Sequence, residues 1–145
     1  MKKKILVTGG AGYIGSMLVS KLVHLGHKVT VIDLLKYSST SLNHLCFNKN
    51  FKLIIDDVRN KNLIKKEIKK NEFIIPLAAL VGAPLCKKNK KEAISVNLDS
   101  IKFLMKNTKK KSKIIFLTSN SGYGIGKKNK FCDENSPLKP ISLYG

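Results

Sequence analysis

The stretch Thr8-Gly9-Gly10-Ala11-Gly12-Tyr13-Ile14-Gly15 constrains the fold of this chain more than any other. It follows a compact apolar run, Lys4 to Thr8, of the kind that forms a buried strand. It leads into Ile14, Leu18, Leu22 and Leu25, which recur at helical spacing until Gly26, a residue suited to close a helix. Glycine fits where a chain must turn tightly and keep its backbone bare. The helix that begins here presents free N–H groups and the positive end of its dipole, which together favour an anion such as a pyrophosphate.

The same alternation continues along the chain. Val29 to Ile32 reads as a second strand, and Phe51 to Ile55 as a third after a Ser/Thr-rich loop. A helix from about Asn60 to Lys70 follows, with Asn60 as its cap. Phe73 to Leu77 is the fourth strand and Lys113 to Thr118 the fifth. Between them a helix from about Lys90 to Thr108 carries Ala93, Asn97, Ile101, Leu104 and Thr108 on one face. Gly122 to Gly145 is a loop rich in Gly, Lys, Asn and Pro. Short buried strands joined by helical crossovers predict an α/β fold: a Rossmann-type doubly wound parallel sheet, in one domain over 1–145, breaking off after about its fifth strand.

In this setting the glycine turn predicts dinucleotide binding. Asp33 ends the second strand, 18 residues beyond Gly15. A carboxylate there accepts hydrogen bonds from both adenosine ribose hydroxyls and repels a 2′-phosphate, which argues for NAD over NADP. Lys36, close by, softens that preference. Asp56-Asp57-Val58 ends the third strand where an adenine-facing carboxylate would sit, and spacing alone leaves the choice between the two acids open.

Composition narrows the partners. The chain carries 28 basic against 9 acidic residues, a net charge of +19. Arg59 is its only arginine, and no aromatic residues interleave with runs such as Lys2-Lys3-Lys4 or Lys109-Lys110-Lys111. Both features disfavour nucleic-acid readout. The lysines therefore read as solvated faces, with neither nucleic acid nor membrane as a partner. Cys46, Cys86 and Cys132 are odd in number and widely spaced, which disfavours disulfides or a metal site and fits a reducing cytoplasm. No stretch is long enough to span a membrane.

The spacing Gly9-x-x-Gly12-x-x-Gly15, with Asp33, Asp57-Val58, Leu77-Ala78-Ala79 and Thr118-Ser119-Asn120-Ser121-Gly122-Tyr123-Gly124, resembles the extended short-chain dehydrogenase/reductase family. That family includes UDP-glucose 4-epimerase and other NAD-dependent sugar-nucleotide epimerases and dehydratases. The resemblance implies that Gly9, Gly12, Tyr13, Ile14 and Gly15 surround the pyrophosphate and that Asp33 holds the adenosine ribose. It gives Asp57 and Val58 the adenine contacts, and Leu77, Ala78 and Ala79 a place beside the nicotinamide ribose. Ser119 matches the catalytic Ser/Thr and Tyr144 the catalytic tyrosine of a YxxxK motif. The implied activity is hydride transfer between nicotinamide and a sugar carbon of a nucleotide-sugar substrate. A homodimer of the full-length protein is compatible with it.

Two departures matter. Pro76 stands where relatives often have His. Asn120 and Ser121 stand where 4,6-dehydratases carry an Asp-Glu pair, and neither does that proton work near neutral pH, so an epimerase or simple oxidoreductase gains. Free tyrosine has a pKa of about 10, so work near pH 7 needs a shift of roughly 3 units, or about 4 kcal/mol. Relatives obtain it from a lysine four residues on, and here only Gly145 follows Tyr144. The expectation is an N-terminal, cofactor-binding portion of a longer enzyme that lacks its C-terminal substrate-binding region and is inactive alone. The competing expectation is a non-catalytic NAD-binding module or pseudoenzyme.

Overall fold

The computed structural model of the chain describes residues 1–126, 129 and 131–145. Five parallel strands, β1 (Lys4–Thr8), β2 (Lys28–Asp33), β3 (Phe51–Ile55), β4 (Phe73–Pro76) and β5 (Lys113–Ile114), lie in the order β3-β2-β1-β4-β5. Side chains alternate across each strand. Ile5, Val7, Val29, Val31 and Ile75 therefore point to one face, while Leu6, Ile32 and Ile74 point to the other. Helix α1 (Tyr13–His24) covers the first face through Val19 and Val23, helped by Leu42 and Leu45 of the β2–β3 connection. On the second face α2 (Lys61–Ile68) brings Ile64 and Ile68, and α5 (Ser100–Asn107) brings Leu104. Each such aliphatic side chain contributes about 1.5–3 kcal/mol of burial. This is the doubly wound sheet expected from the sequence. Asn60 caps α2 as expected, its Oδ1 accepting from Leu63 N at 3.2 Å.

The structure corrects three element boundaries. Helix α3 (Ala83–Lys88) precedes the long helix and was not visible in the pattern, because it buries only Cys86 and so carries no helical repeat. The long helix is not uniformly α-helical. Its first turn, α4 (Lys90–Ala93), passes into a π-helical stretch, Ile94–Asp99, before α5. This wide turn sets Val96 against Leu80 and lets Asn97 hold both backbone groups of Leu80, accepting from its N–H and donating to its C=O at 2.8 Å each. The fifth strand stops at Ile114 instead of Thr118. Ile115 N still donates to Ile74 O at 3.0 Å. The next β4 nitrogen facing that way belongs to Pro76, which has no proton to give. The ladder ends there, leaving Ile115, Phe116 and Leu117 exposed.

Strand order reverses on either side of β1, and the chains leaving β1 and β4 diverge at their C-terminal ends. Such a switch point opens a crevice.

Candidate functional site

The crevice is a cleft of about 820 Å³ at the C-terminal ends of the strands. Every site residue singled out from the sequence lines it. Its floor is the glycine turn, where Gly9 adopts φ +73 and donates its N–H to Ile32 O at 2.8 Å. A Cβ on Gly9 would come within 2.4 Å of Ala78 N, so the Leu77-Ala78-Ala79 segment lies directly against the turn. A Cβ on Gly15 would meet Gly9 O at 2.3 Å, which is how closely α1 packs on the turn that precedes it. Ser41 Oγ donates to Ala11 O at 2.8 Å and fixes the turn from the other side. No side chain caps α1, and its first internal bond here runs from Ser16 N to Gly12 O. The N–H groups of the first turn are left for a ligand, with Tyr13 and Ile14 exposed beside them.

Asp33 stands at the edge of this floor. Its Oδ2 accepts from Ala11 N at 2.9 Å and its Oδ1 from Leu35 N at 2.8 Å. The second contact holds Leu35 at φ 55, a conformation that costs a non-glycine residue energy. Each carboxylate oxygen keeps a lone pair for the cleft. Lys36 lies beyond it, its Nζ 3.4 Å from Glu92 Oε1 across the cleft mouth.

The paired acids after β3 have different surroundings. Asp56 accepts from Asp57 N and from Asn60 Nδ2, which ties it to the start of α2. Asp57 is held by Arg59, whose backbone N, Nε and Nη2 all donate to it. These hydrogen bonds, Arg59's charge and its backbone N–H hold the Asp57 carboxyl below its ordinary value of 3.8, against the opposing effect of burial. Arg59 also reaches Ser95 Oγ at 3.3 Å, joining the β3 end to the π-helical stretch. The Asp-x-Arg spacing is the one local signal of this clamp in the sequence.

A lowered carboxyl pKa stabilises the fold above the ordinary value, and that contribution disappears as pH falls through the lowered one. The pair is partly exposed, so it is worth at most about 1 kcal/mol. Asp57→Asn should therefore melt slightly below wild type at neutral pH, and the gap should close below about pH 3.8. A gap that stayed constant on acidification would show that the ion pair contributes nothing.

The other end of the cleft is formed by Leu77, Ala79, Ser119 and Tyr144. Ser119 Oγ accepts from Ser121 N at 3.2 Å and caps a 3₁₀ turn, Asn120–Tyr123. Tyr144 packs against the cluster of Leu80, Cys86, Ala93 and Val96. Gly145 abuts the Ser121 carbonyl so closely that a Cβ there would lie 2.4 Å from it. This contact brings the tyrosine-bearing segment onto the Ser119 turn, although the two are far apart in sequence.

A bare turn, an uncapped helix start and a carboxylate with free lone pairs along one cleft have the chemistry to take a pyrophosphate-linked dinucleotide. The model of the NAD dependent epimerase/dehydratase family matches residues 5–145. The chain belongs to that family. Within it, a UDP-N-acetyl-alpha-D-glucosaminuronate decarboxylase of Bacillus cytotoxicus is 34% identical over 127 residues, covering 87% of this chain and 39% of that protein. The structure of a UDP-N-acetylglucosamine 4-epimerase from Methanobrevibacter ruminantium, in complex with UDP-N-acetylmuramic acid, matches with TM-score 0.88 and 31% identity, covering 99% of this chain and 46% of that one. A Thermus thermophilus UDP-glucose 4-epimerase in complex with NAD matches with TM-score 0.82 and 26% identity, covering 97% and 46%. The chain thus spans about two fifths to half the length of these relatives. The family is NAD-dependent, which agrees with the cofactor expected from the sequence.

Proposed function

We propose that this chain supplies the NAD-binding part of a sugar-nucleotide epimerase or oxidoreductase. The observation that carries the reading is that the glycine turn and Asp33 at one end, and Ser119 and Tyr144 at the other, line a single cleft. The turn and the first N–H groups of α1 take the pyrophosphate. Asp33 takes the adenosine ribose with the lone pairs that Ala11 and Leu35 leave free. Asp57 is occupied by Arg59, so its part is to hold Val58 in place beside the adenine. Reversible hydride acceptance from a sugar carbon is the chemistry a bound nicotinamide supplies. In its deprotonated form, which a lysine four residues on supports in relatives, Tyr144 takes the sugar hydroxyl proton on its phenolic oxygen and returns it, while Ser119 Oγ donates a hydrogen bond to the reacting oxygen. Asn120 and Ser121 offer no acid–base pair, which disfavours water loss as the outcome. A cytoplasmic setting suits the three unpaired cysteines.

The test is calorimetric titration of the full chain with NAD, followed by incubation with UDP-glucose or UDP-N-acetylglucosamine and NMR of the products. NAD binding without turnover is expected of this chain alone, and conversion at C4 of a protein of the relatives' full length. Failure to bind NAD would end the proposal, and binding without turnover by a protein of the relatives' full length would favour a non-catalytic NAD module. Asp33→Ala should weaken NAD binding roughly 10- to 100-fold, as expected for loss of a charged acceptor. It should also narrow the gap to NADP, because Lys36 remains. Unchanged discrimination would remove Asp33 from the ribose site.

A further inference from the structure

The fold concentrates lysines at one end of the strand axis. Eleven lysines gather at the N-terminal end of the sheet, opposite the cleft: the runs Lys2–Lys4, Lys69–Lys70 and Lys109–Lys111, with Lys28, Lys49 and Lys113. They collect there because each lies in a segment that enters a strand or in its first residue. All but Lys3 are exposed. Only Glu67 and Glu72 share this end, and both are engaged, with Lys70 at 2.7 Å and Lys3 at 3.5 Å. The other nine lysines have no carboxylate partner among the described residues. Asp33, Asp56, Asp57 and Glu92 stand at the opposite end, in the cleft. Lys36 and Arg59 stand in the cleft too, each paired with one of these acids, whereas nine of the eleven lysines at the basic end face no carboxylate among the described residues.

Three apolar side chains project at the same end, each more than half exposed: Leu25 beyond α1, Phe47 before β3 and Met105 in the last turn of α5. Arg59, the only arginine, is at the far end on Asp57, so the basic end offers no bidentate fork for bases. Point charges around protruding apolar tips match a layer of anionic headgroups above acyl chains.

We propose that this end of the molecule docks peripherally on an anionic bilayer, its lysines at the headgroup phosphates and Phe47, Leu25 and Met105 in the interface. The cleft then faces the solution. This goes beyond the cofactor chemistry and is independent of it. It departs from the expectation of solvated lysine faces with no membrane partner, because the convergence of the runs is a tertiary feature.

The experiment is co-sedimentation of the full chain with vesicles of phosphatidylcholine containing about one third phosphatidylglycerol, against phosphatidylcholine alone. Binding to the anionic vesicles only, lost at about 1 M salt, is expected. Each lysine near such a surface contributes about fivefold, so Lys109→Glu/Lys110→Glu/Lys111→Glu should lower partitioning at least about 100-fold. Phe47→Ser should lower it about tenfold at unchanged charge. Lys87→Glu/Lys88→Glu, on α3 and away from this end, should bind like wild type, and circular dichroism checks that all variants fold. The proposal is overturned by no binding to anionic vesicles at low salt, by equal binding to neutral ones, or by equal loss in the α3 variant. Binding to an oligonucleotide duplex that persists at the salt concentration releasing the vesicles would overturn it in favour of nucleic acid.

Discussion

Tyr144→Phe, in an enzyme of the relatives' full length, is expected to lower turnover of a UDP-sugar by about 10²- to 10⁴-fold, the range for loss of a general acid–base group. NAD affinity should stay essentially unchanged. The reason for that split is local. The ring is half-buried against Leu80 and Val96, and phenylalanine keeps that packing while removing only the hydroxyl. Ser119→Ala should cost about 10²- to 10³-fold in turnover. It should also lose some stability, since the same Oγ caps the turn at Ser121 N. Ser119→Thr keeps the hydroxyl and should restore most of both. Wild-type turnover in Tyr144→Phe would refute the assigned role, and loss of NAD binding in that variant would show the residue to be structural.

Gly15→Ala should strike the fold and the cofactor site together. Its new methyl would lie 2.3 Å from Gly9 O and 2.7 Å from Gly10 Cα, both backbone atoms that cannot swing aside. Overpacking of this kind costs about 1–3 kcal/mol. A thermal melt should show a clear fall, and NAD titration at least a tenfold loss, equivalent to about 1.4 kcal/mol. Gly12→Ala is the discriminating partner. Gly12 sits at φ −73, which any residue adopts, and its Cβ would lie 3.4 Å from Gly9 O. That variant should melt close to wild type yet bind NAD more weakly, because the added methyl enters the bare turn. If both variants kept wild-type affinity, the turn would not be the pyrophosphate site.

Much of the site was legible because its parts are local. Gly9 to Gly15 follow a strand and Asp33 ends one, and a strand's end is marked by where its apolar run stops. The Asp56/Asp57 choice was not legible, because it turns on which carboxylate Arg59 and Asn60 occupy, a matter of rotamers within one loop. The length of β5 depended on Pro76 in a neighbouring strand. The π-helical turn depended on Leu80 needing partners that Asn97 provides from 17 residues away.

By itself the sequence determined the order and type of the strands, the two-faced core and the residues of the glycine turn. These follow from period-two alternation, helical spacing and the conformational freedom of glycine, all set by near neighbours along the chain. Only the tertiary structure decided that Tyr144 returns to the Ser119 turn, that Lys36 and Arg59 reach across to Glu92 and Ser95, and that eleven lysines meet at one end. Those are contacts between distant segments. They arise from the crossover topology, which no local pattern of side chains encodes.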